Sequence, residues 1–159
     1  MKKAFVISGA LLGALMLCGC EPALKSESDI IGKAREYLSD NVEELSIAGN
    51  CSQNNSTLFW LMSGSTFIPM EFAVNENGEF SFTHRYEPIE RTADTASLMW
   101  KDGYSFVVNN PDCSNIRITE PNGGVTDIGV TEIPFVYFLE IAPDEFEYSF
   151  LNAEGEQVK

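Results

Sequence analysis

Few side chains in this sequence could perform covalent or acid–base chemistry. The chain has a single histidine, His84, and a serine-hydrolase set can be assembled only from His84, Ser97 and Asp94. Ser97 lacks the Gly-x-Ser-x-Gly surroundings that present a nucleophilic serine in hydrolases. His84 falls on the apolar face of a predicted strand, where we expect it to be buried. The sequence therefore predicts no catalytic residue and a protein that is not an enzyme.

Metal and cofactor motifs are equally sparse. One histidine and one pair of cysteines do not provide the usual ligand sets for zinc. The stretch 75–79, Asn-Glu-Asn-Gly-Glu, is acidic, but it lacks the alternating carboxylates and distal glutamate of a calcium loop and is better explained as a hairpin turn. No glycine-rich phosphate loop is present, and no particular pair of carboxylates stands out as a glycosidase site. We expect no cofactor and no metal.

The chain opens with an export-like segment. Met1-Lys2-Lys3 is followed by an uncharged apolar stretch, 4–17, of roughly 14 residues, which is too short to cross about 30 Å of hydrocarbon. Such a stretch is typical of a secretory signal. It ends in Leu17-Cys18-Gly19-Cys20, which resembles the lipobox of bacterial lipoproteins. An ordinary secretory signal and cleavage before Cys18 are alternatives, although cleavage there would leave the bulky Met16 at the cut.

The resemblance implies a mature protein that begins at a lipidated cysteine. Residues 1–19 would be the signal peptide, and Cys20 would carry a diacylglycerol and an N-acyl chain. Residues 20–25 would form a short tether to a single periplasmic domain at 26–159. The residue after the cysteine is Glu21 rather than the aspartate that retains enterobacterial lipoproteins in the inner membrane, which favours the outer membrane. The resemblance therefore implies that the protein is attached to a lipid bilayer through its acyl chains.

Cys51 and Cys113 remain once Cys18 and Cys20 are assigned to the export segment. Two cysteines in an oxidising compartment, neither in a Cys-x-x-Cys pair, predict a structural disulfide. A loop of this length would stabilise the fold by roughly 4 kcal/mol in the chain-entropy account.

The chain is strongly acidic, with 24 Asp and Glu against 10 Lys and Arg. Removal of Lys2 and Lys3 with the signal takes the net charge from −14 to −16. This charge opposes binding to nucleic acid or to anionic lipid. The negative charge either keeps the protein soluble or attracts a basic protein partner.

The periodicity predicts one helix followed by strands. Apolar residues recur at helical spacing over 27–46, after a capping sequence at Ser26 and Asp29. Beyond Cys51 the pattern alternates, as in strands. Predicted strands cover 57–62, 66–74, 79–86, 97–100, 104–109, 115–119, 125–130, 133–141 and 145–151. Pro69 indicates an edge strand or a bulge, and the apolar 133–141 indicates a central strand covered on both faces, on one side by the helix.

These elements predict a mainly β protein with one N-terminal amphipathic helix. The expected architecture is an antiparallel sandwich or a half-closed barrel. The rhythm of 104–155 is similar to that of immunoglobulin-like modules of secreted bacterial proteins, which implies a sandwich. Most of the large aromatic residues are expected in the core, although some would line a ligand cavity if the sheet closed. These residues are Phe59, Trp60, Trp100, Tyr104, Phe138 and Tyr148.

Three functions are compatible with this sequence. The first is a non-catalytic binding or adaptor lipoprotein, including an inhibitor-type module, that engages an envelope protein through a sheet edge or an aromatic patch. The second is a barrel that binds a small apolar ligand. The third, a periplasmic hydrolase, would depend on His84. We favour the first.

Overall fold

The structure is a computed structural model that describes residues 23–38, 44–140 and 145–159. It is mainly β with a single helix, as the sequence predicts. The elements are α1 (Glu27–Glu36), β1 (Leu45–Gln53), β2 (Ser56–Ser63), β3 (Thr66–Val74), β4 (Phe80–Arg85), β5 (Ile89–Glu90), β6 (Thr95–Trp100), β7 (Gly103–Val108), β8 (Asn115–Thr119), β9 (Val125–Gly129), β10 (Phe135–Glu140) and β11 (Glu147–Leu151).

The strands form three antiparallel sheets. Sheet A has the order β1-β2-β3-β4, with β5 also paired to β3; sheet B has the order β10-β7-β6; sheet C has the order β11-β8-β9. Among the described residues the sheets do not close into a barrel, and the arrangement is consistent with the predicted sandwich. The strands of 104–155 divide between sheets B and C.

Three apolar clusters lie between successive layers. The first joins α1 to one face of sheet A, and the second joins the other face of sheet A to sheet B. The third joins the far face of sheet B to sheet C. In β2, Phe59 and Leu61 belong to the first cluster, whereas Leu58 and Trp60 belong to the second. A strand that is apolar on both faces is thus covered on both sides.

Helix α1 begins where the sequence predicts and ends early. Ser26 Oγ accepts a hydrogen bond from Asp29 N, and Asp29 Oδ2 accepts one from Ser26 N, which completes the capping box. The helix ends at Glu36 rather than near residue 46, and Arg85 Nη1 donates to Tyr37 O at 2.7 Å, just beyond its C-terminus. The rest of the predicted helix includes residues 39–43, which lie outside the described residues, and the start of β1.

Leu45 and Ile47 explain why the helical prediction fails at its end. Both pack in the first cluster at a spacing of two residues, and the strand pairs with β2 from Leu45 onwards. Ala48 faces the second cluster, and a register shift between Ile47 and Gly49 brings Cys51 onto that same face. Gly49 therefore lies within a bulged strand and does not end a helix.

Pro69 does not place β3 at an edge, which corrects one alternative. Tyr86 N donates to Pro69 O at 3.0 Å, so the backbone groups of Pro69 point towards β4 and β5. The ladder with β5 covers Thr66 and Phe67, and the ladder with β4 starts at Met70. Pro69 has no N–H to donate, but its position between these two ladders requires no such donor. β3 is therefore a central strand despite the proline.

β10 corrects a second expectation. It is covered on both faces, since Val136 and Phe138 pack in the second cluster and Phe135 and Tyr137 in the third. It is nevertheless an edge strand of sheet B, and its covers are sheets A and C. The helix covers sheet A instead.

The segment before α1 is attached to sheet A. Phe80 N donates to Leu24 O at 2.8 Å, and Leu24 packs against the first cluster. Lys25 Nζ lies 2.9 Å from Glu79 Oε1. Leu24 and Lys25, which the sequence analysis placed in the tether, therefore contact sheet A. Cys20 and the signal segment lie outside the described residues.

Candidate functional site

The three residues of the hypothetical hydrolase set have separate partners. His84 is exposed on β4, with its ring edge-on to Tyr86 at 4.6 Å, so the expectation of a buried histidine is wrong. The bulge in the β3–β4 ladder between Glu71 and Phe72 changes which residues of β4 face inwards. Ser97 Oγ donates to Tyr148 Oη at 2.6 Å, and Asp94 pairs with Arg91 at 2.9 Å.

The predicted disulfide is not formed, because Cys51 and Cys113 are both free cysteines. Cys51 packs against the cluster between sheets A and B, whereas Cys113 belongs to the cluster between sheets B and C. Sheet B therefore separates the two thiols. Burial raises the pKa of Cys51 to about 11, although its contact with Ser105 lowers that pKa. Burial also raises the pKa of Cys113. Neither thiol is a ready nucleophile at neutral pH.

A buried carboxylate lies between sheets A and B, and sequence reasoning did not identify it. Glu71 is 5% exposed. Its Oε2 accepts hydrogen bonds from Tyr86 Oη at 2.8 Å and from Trp100 Nε1 at 3.1 Å. Its Oε1 forms an ion pair with Lys101 Nζ. The signal in the sequence was an acid that interrupts the apolar strand 66–74.

These contacts keep Glu71 ionised. Burial by itself would raise the pKa of this carboxyl, but the contacts with Lys101, Tyr86, Trp100 and Ser56 together lower it to about 2. Burial and the neighbouring carboxylate raise the pKa of Tyr86. A carboxylate with a pKa this low is a poor proton acceptor at neutral pH. The arrangement therefore joins the sheets and does not resemble a general base.

A second polar contact crosses the same layer at Ser105, which is fully buried on β7. Trp60 Nε1 donates to Ser105 Oγ at 2.8 Å, and Cys51 Sγ lies 3.2 Å from the same oxygen. Each buried tryptophan thus has its ring nitrogen satisfied by the opposite sheet, which fixes how the sheets face each other.

The surface feature that stands out is an apolar patch beside β6 and β11. Met99 is 66% exposed and lies opposite Tyr104 in the β6–β7 ladder. The Tyr104 and Phe146 ring centroids are 4.7 Å apart, and those of Phe146 and Tyr148 are 6.3 Å apart. Tyr148 is 41% exposed. We call Met99, Tyr104, Phe146 and Tyr148 the edge patch.

The edge patch borders an open strand. β6 pairs only with β7 among the described residues. Asn109 N donates to Asp94 O, and the ladder runs from Thr95 opposite Val108 to Trp100 opposite Gly103. Since hydrogen-bonded pairs alternate along an antiparallel ladder, the backbone groups of Ser97 and Met99 point away from β7. They are available to another strand.

A groove of about 430 Å³ continues from the edge patch. Phe146 is part of both, and the other lining residues come from the β8–β9 turn and the start of β11: Thr119, Glu120, Pro121, Gly123, Glu145 and Glu147. None of the described residues that line the groove is basic. A second cavity of about 430 Å³ includes Arg91, whose side chain is already bonded to Asp94 and to Gly64 O.

The chain matches no protein-family model, no curated protein and no solved structure. Within residues 23–38, 44–140 and 145–159, no three His, Cys, Asp or Glu side chains are grouped as a metal site would require. Over the same residues, none of the helices has the length and apolar character needed to span a bilayer.

Proposed function

We propose that this protein is a lipid-anchored envelope lipoprotein that binds another envelope protein without catalysing a reaction. Its edge patch, Met99, Tyr104, Phe146 and Tyr148, is the docking surface. The lipobox-like Leu17-Cys18-Gly19-Cys20 supports the anchor, and Glu21 favours the outer membrane with the domain in the periplasm. The acidic charge of −14 supports a protein partner over nucleic acid, because phosphate would be repelled.

One observation carries the proposal: an exposed apolar patch lies directly beside an unpaired strand edge. Met99 is 66% exposed and Tyr148 is 41% exposed, and grouped exposed apolar side chains of this kind are typical of interaction sites. Open strand edges bind extended segments through backbone hydrogen bonds, and adjacent side-chain pockets give specificity. The partner we propose therefore contributes an extended segment that pairs with β6 and covers the patch.

Site-specific photocrosslinking in intact cells tests the docking surface. A photoreactive residue at position 99 is expected to give one defined adduct with an envelope protein. The matched control is position 76, because Glu76 is exposed in the turn between β3 and β4 of sheet A and belongs neither to the patch nor to the groove beside it. The same adducts from both positions, or none from position 99, would contradict the docking proposal.

Labelling with palmitate tests the anchor independently. The parent protein is expected to take up label and to sediment with envelopes, and Cys20→Ala is expected to lose both properties. Cys18→Ala is the control, because Cys18 would leave with the signal peptide, and this variant should label normally. Normal labelling of Cys20→Ala would remove the anchor assignment.

A further inference from the structure

We infer that the segment docked at the edge patch is basic, with a lysine or arginine that enters the groove beside Phe146. This inference rests on the proposed docking function and adds the chemistry of the partner. It depends on the charges around the groove, on its aromatic wall and on its continuity with β6.

The rim of the groove carries uncompensated negative charge. Glu120, Glu145 and Glu147 line it and are all exposed. Glu120 Oε2 accepts a hydrogen bond from Asn122 Nδ2 at 3.0 Å, which leaves its charge in place. Among the described residues, neither Glu145 nor Glu147 forms an ion pair. A neutral or acidic segment would leave these three carboxylates unmatched, and an acidic one would also be repelled.

The wall of the groove suits an alkyl ammonium or guanidinium group. Phe146 is half-buried and meets Tyr104 edge-on, with an interplanar angle of 90°. Lysine and arginine combine an apolar stem with a charged end, so their stem can pack on a ring while their charge reaches a carboxylate. The volume of about 430 Å³ is ample for one such side chain.

The position of the groove fits a segment that is already paired with β6. Phe146 joins the groove to the edge patch, and the Ser97–Tyr148 hydrogen bond of 2.6 Å connects β6 to β11. Along an added strand, alternate side chains point to one face. Residues that cover Met99 and Tyr148 would therefore be followed, on the same face, by a residue at the groove.

Fluorescence anisotropy with three labelled octapeptides tests the inference on the full-length protein in neutral detergent. Each peptide is Val-Ser-Val-Ser-Val-Ser-X-Ser, with lysine, serine or glutamate at X, so that X follows the valines on the same face of the added strand. We expect the lysine peptide to bind at low salt, the serine peptide to bind at least fivefold more weakly, and the glutamate peptide not to bind. Affinity for the lysine peptide should fall as salt is added, because exposed charges are screened.

Paired variants locate the effect. In Glu145→Gln/Glu147→Gln the affinity for the lysine peptide should fall about fivefold to tenfold, as expected for two exposed ion pairs. The control is Glu154→Gln/Glu156→Gln, which removes the same charge from two exposed acids outside the groove and should change affinity less than about twofold.

Three results would overturn the inference: no lysine-peptide binding, equal binding of the serine peptide, or equal losses in the two double variants. None of these results would by itself remove the docking function. The photoadduct at position 99 is measured in cells with the natural partner, and it decides that function separately.

Discussion

Glu71 and Glu147 are the same residue type in opposite settings. Glu71 lies between two sheets, and each of its oxygens has a protein partner. Glu147 begins β11 at the rim of an open groove, exposed and without an ion-pair partner among the described residues. A carboxylate that is buried and satisfied stabilises the fold, whereas one that is exposed and unmatched is free to bind. We therefore expect mutations at the two sites to separate stability from binding.

The largest effect is expected from Glu71→Ala. This change leaves Tyr86 Oη and Trp100 Nε1 without their acceptor and removes the partner of Lys101, which is 36% exposed and can be rehydrated. We expect the free energy of unfolding to fall by about 3 kcal/mol in urea titrations. Glu147→Ala, the exposed control, should stay within about 0.5 kcal/mol. Equal effects of the two changes would remove the distinction between the sites.

A second effect concerns pH. The pKa of Glu71 is about 2 in the folded protein against a usual 4.5, so the unfolded state binds more protons in this window and stability rises with pH. The contribution is present above pH 4.5 and is lost as pH falls towards 2. It amounts to roughly 3 kcal/mol.

Because other acids also titrate in this range, the measurement is the difference in unfolding free energy between the parent and Glu71→Gln. This difference should shrink as pH is lowered from 5 to 2. If the difference stays constant over this range, the neighbours of Glu71 do not lower its pKa.

The third change, Met99→Ser, should barely affect stability. Met99 is 66% exposed, so its loss should change the free energy of unfolding by no more than about 0.5 kcal/mol. The same change should abolish or strongly reduce the envelope adduct trapped by a photoreactive residue at the neighbouring position 97. A normal adduct yield would indicate that the partner does not contact the patch.

The smallest effect is expected from reducing agent. Since Cys51 and Cys113 are free, both should react with an alkylating reagent after unfolding without prior reduction, and reductant should leave the melting temperature unchanged. Labelling that requires reduction would show a disulfide between them.

Alternation in the sequence was sufficient to locate most strands, because each buries at least one face. Thr66–Val74 and Asn115–Thr119 are observed with the predicted bounds. The end of the helix was missed because Leu45 satisfies both the helical and the strand periods. The position of β3 was missed because the direction of the Pro69 nitrogen depends on the neighbouring strands.

The candidate site was less predictable. A disulfide between Cys51 and Cys113 was predicted from the number of cysteines alone. That number cannot show that a sheet lies between the two residues. Glu71 could be noticed as an acid in an apolar strand, but its donors come from residues 15 to 30 positions away. The edge patch requires β6 and β11 to be neighbours, and no local pattern specifies that.

The attachment of Leu24 to Phe80 determines how far the domain could stand from a bilayer. Only three residues would separate a lipidated Cys20 from Leu24, a reach of at most about 14 Å. Phe80 lies at the end of sheet A where Gln53 bonds Glu140, and Glu140 pairs with Gly103 beside the Met99–Tyr104 pair. The docking surface would thus lie near the lipid headgroups. A partner held at the same membrane would then lie within reach of the docking surface.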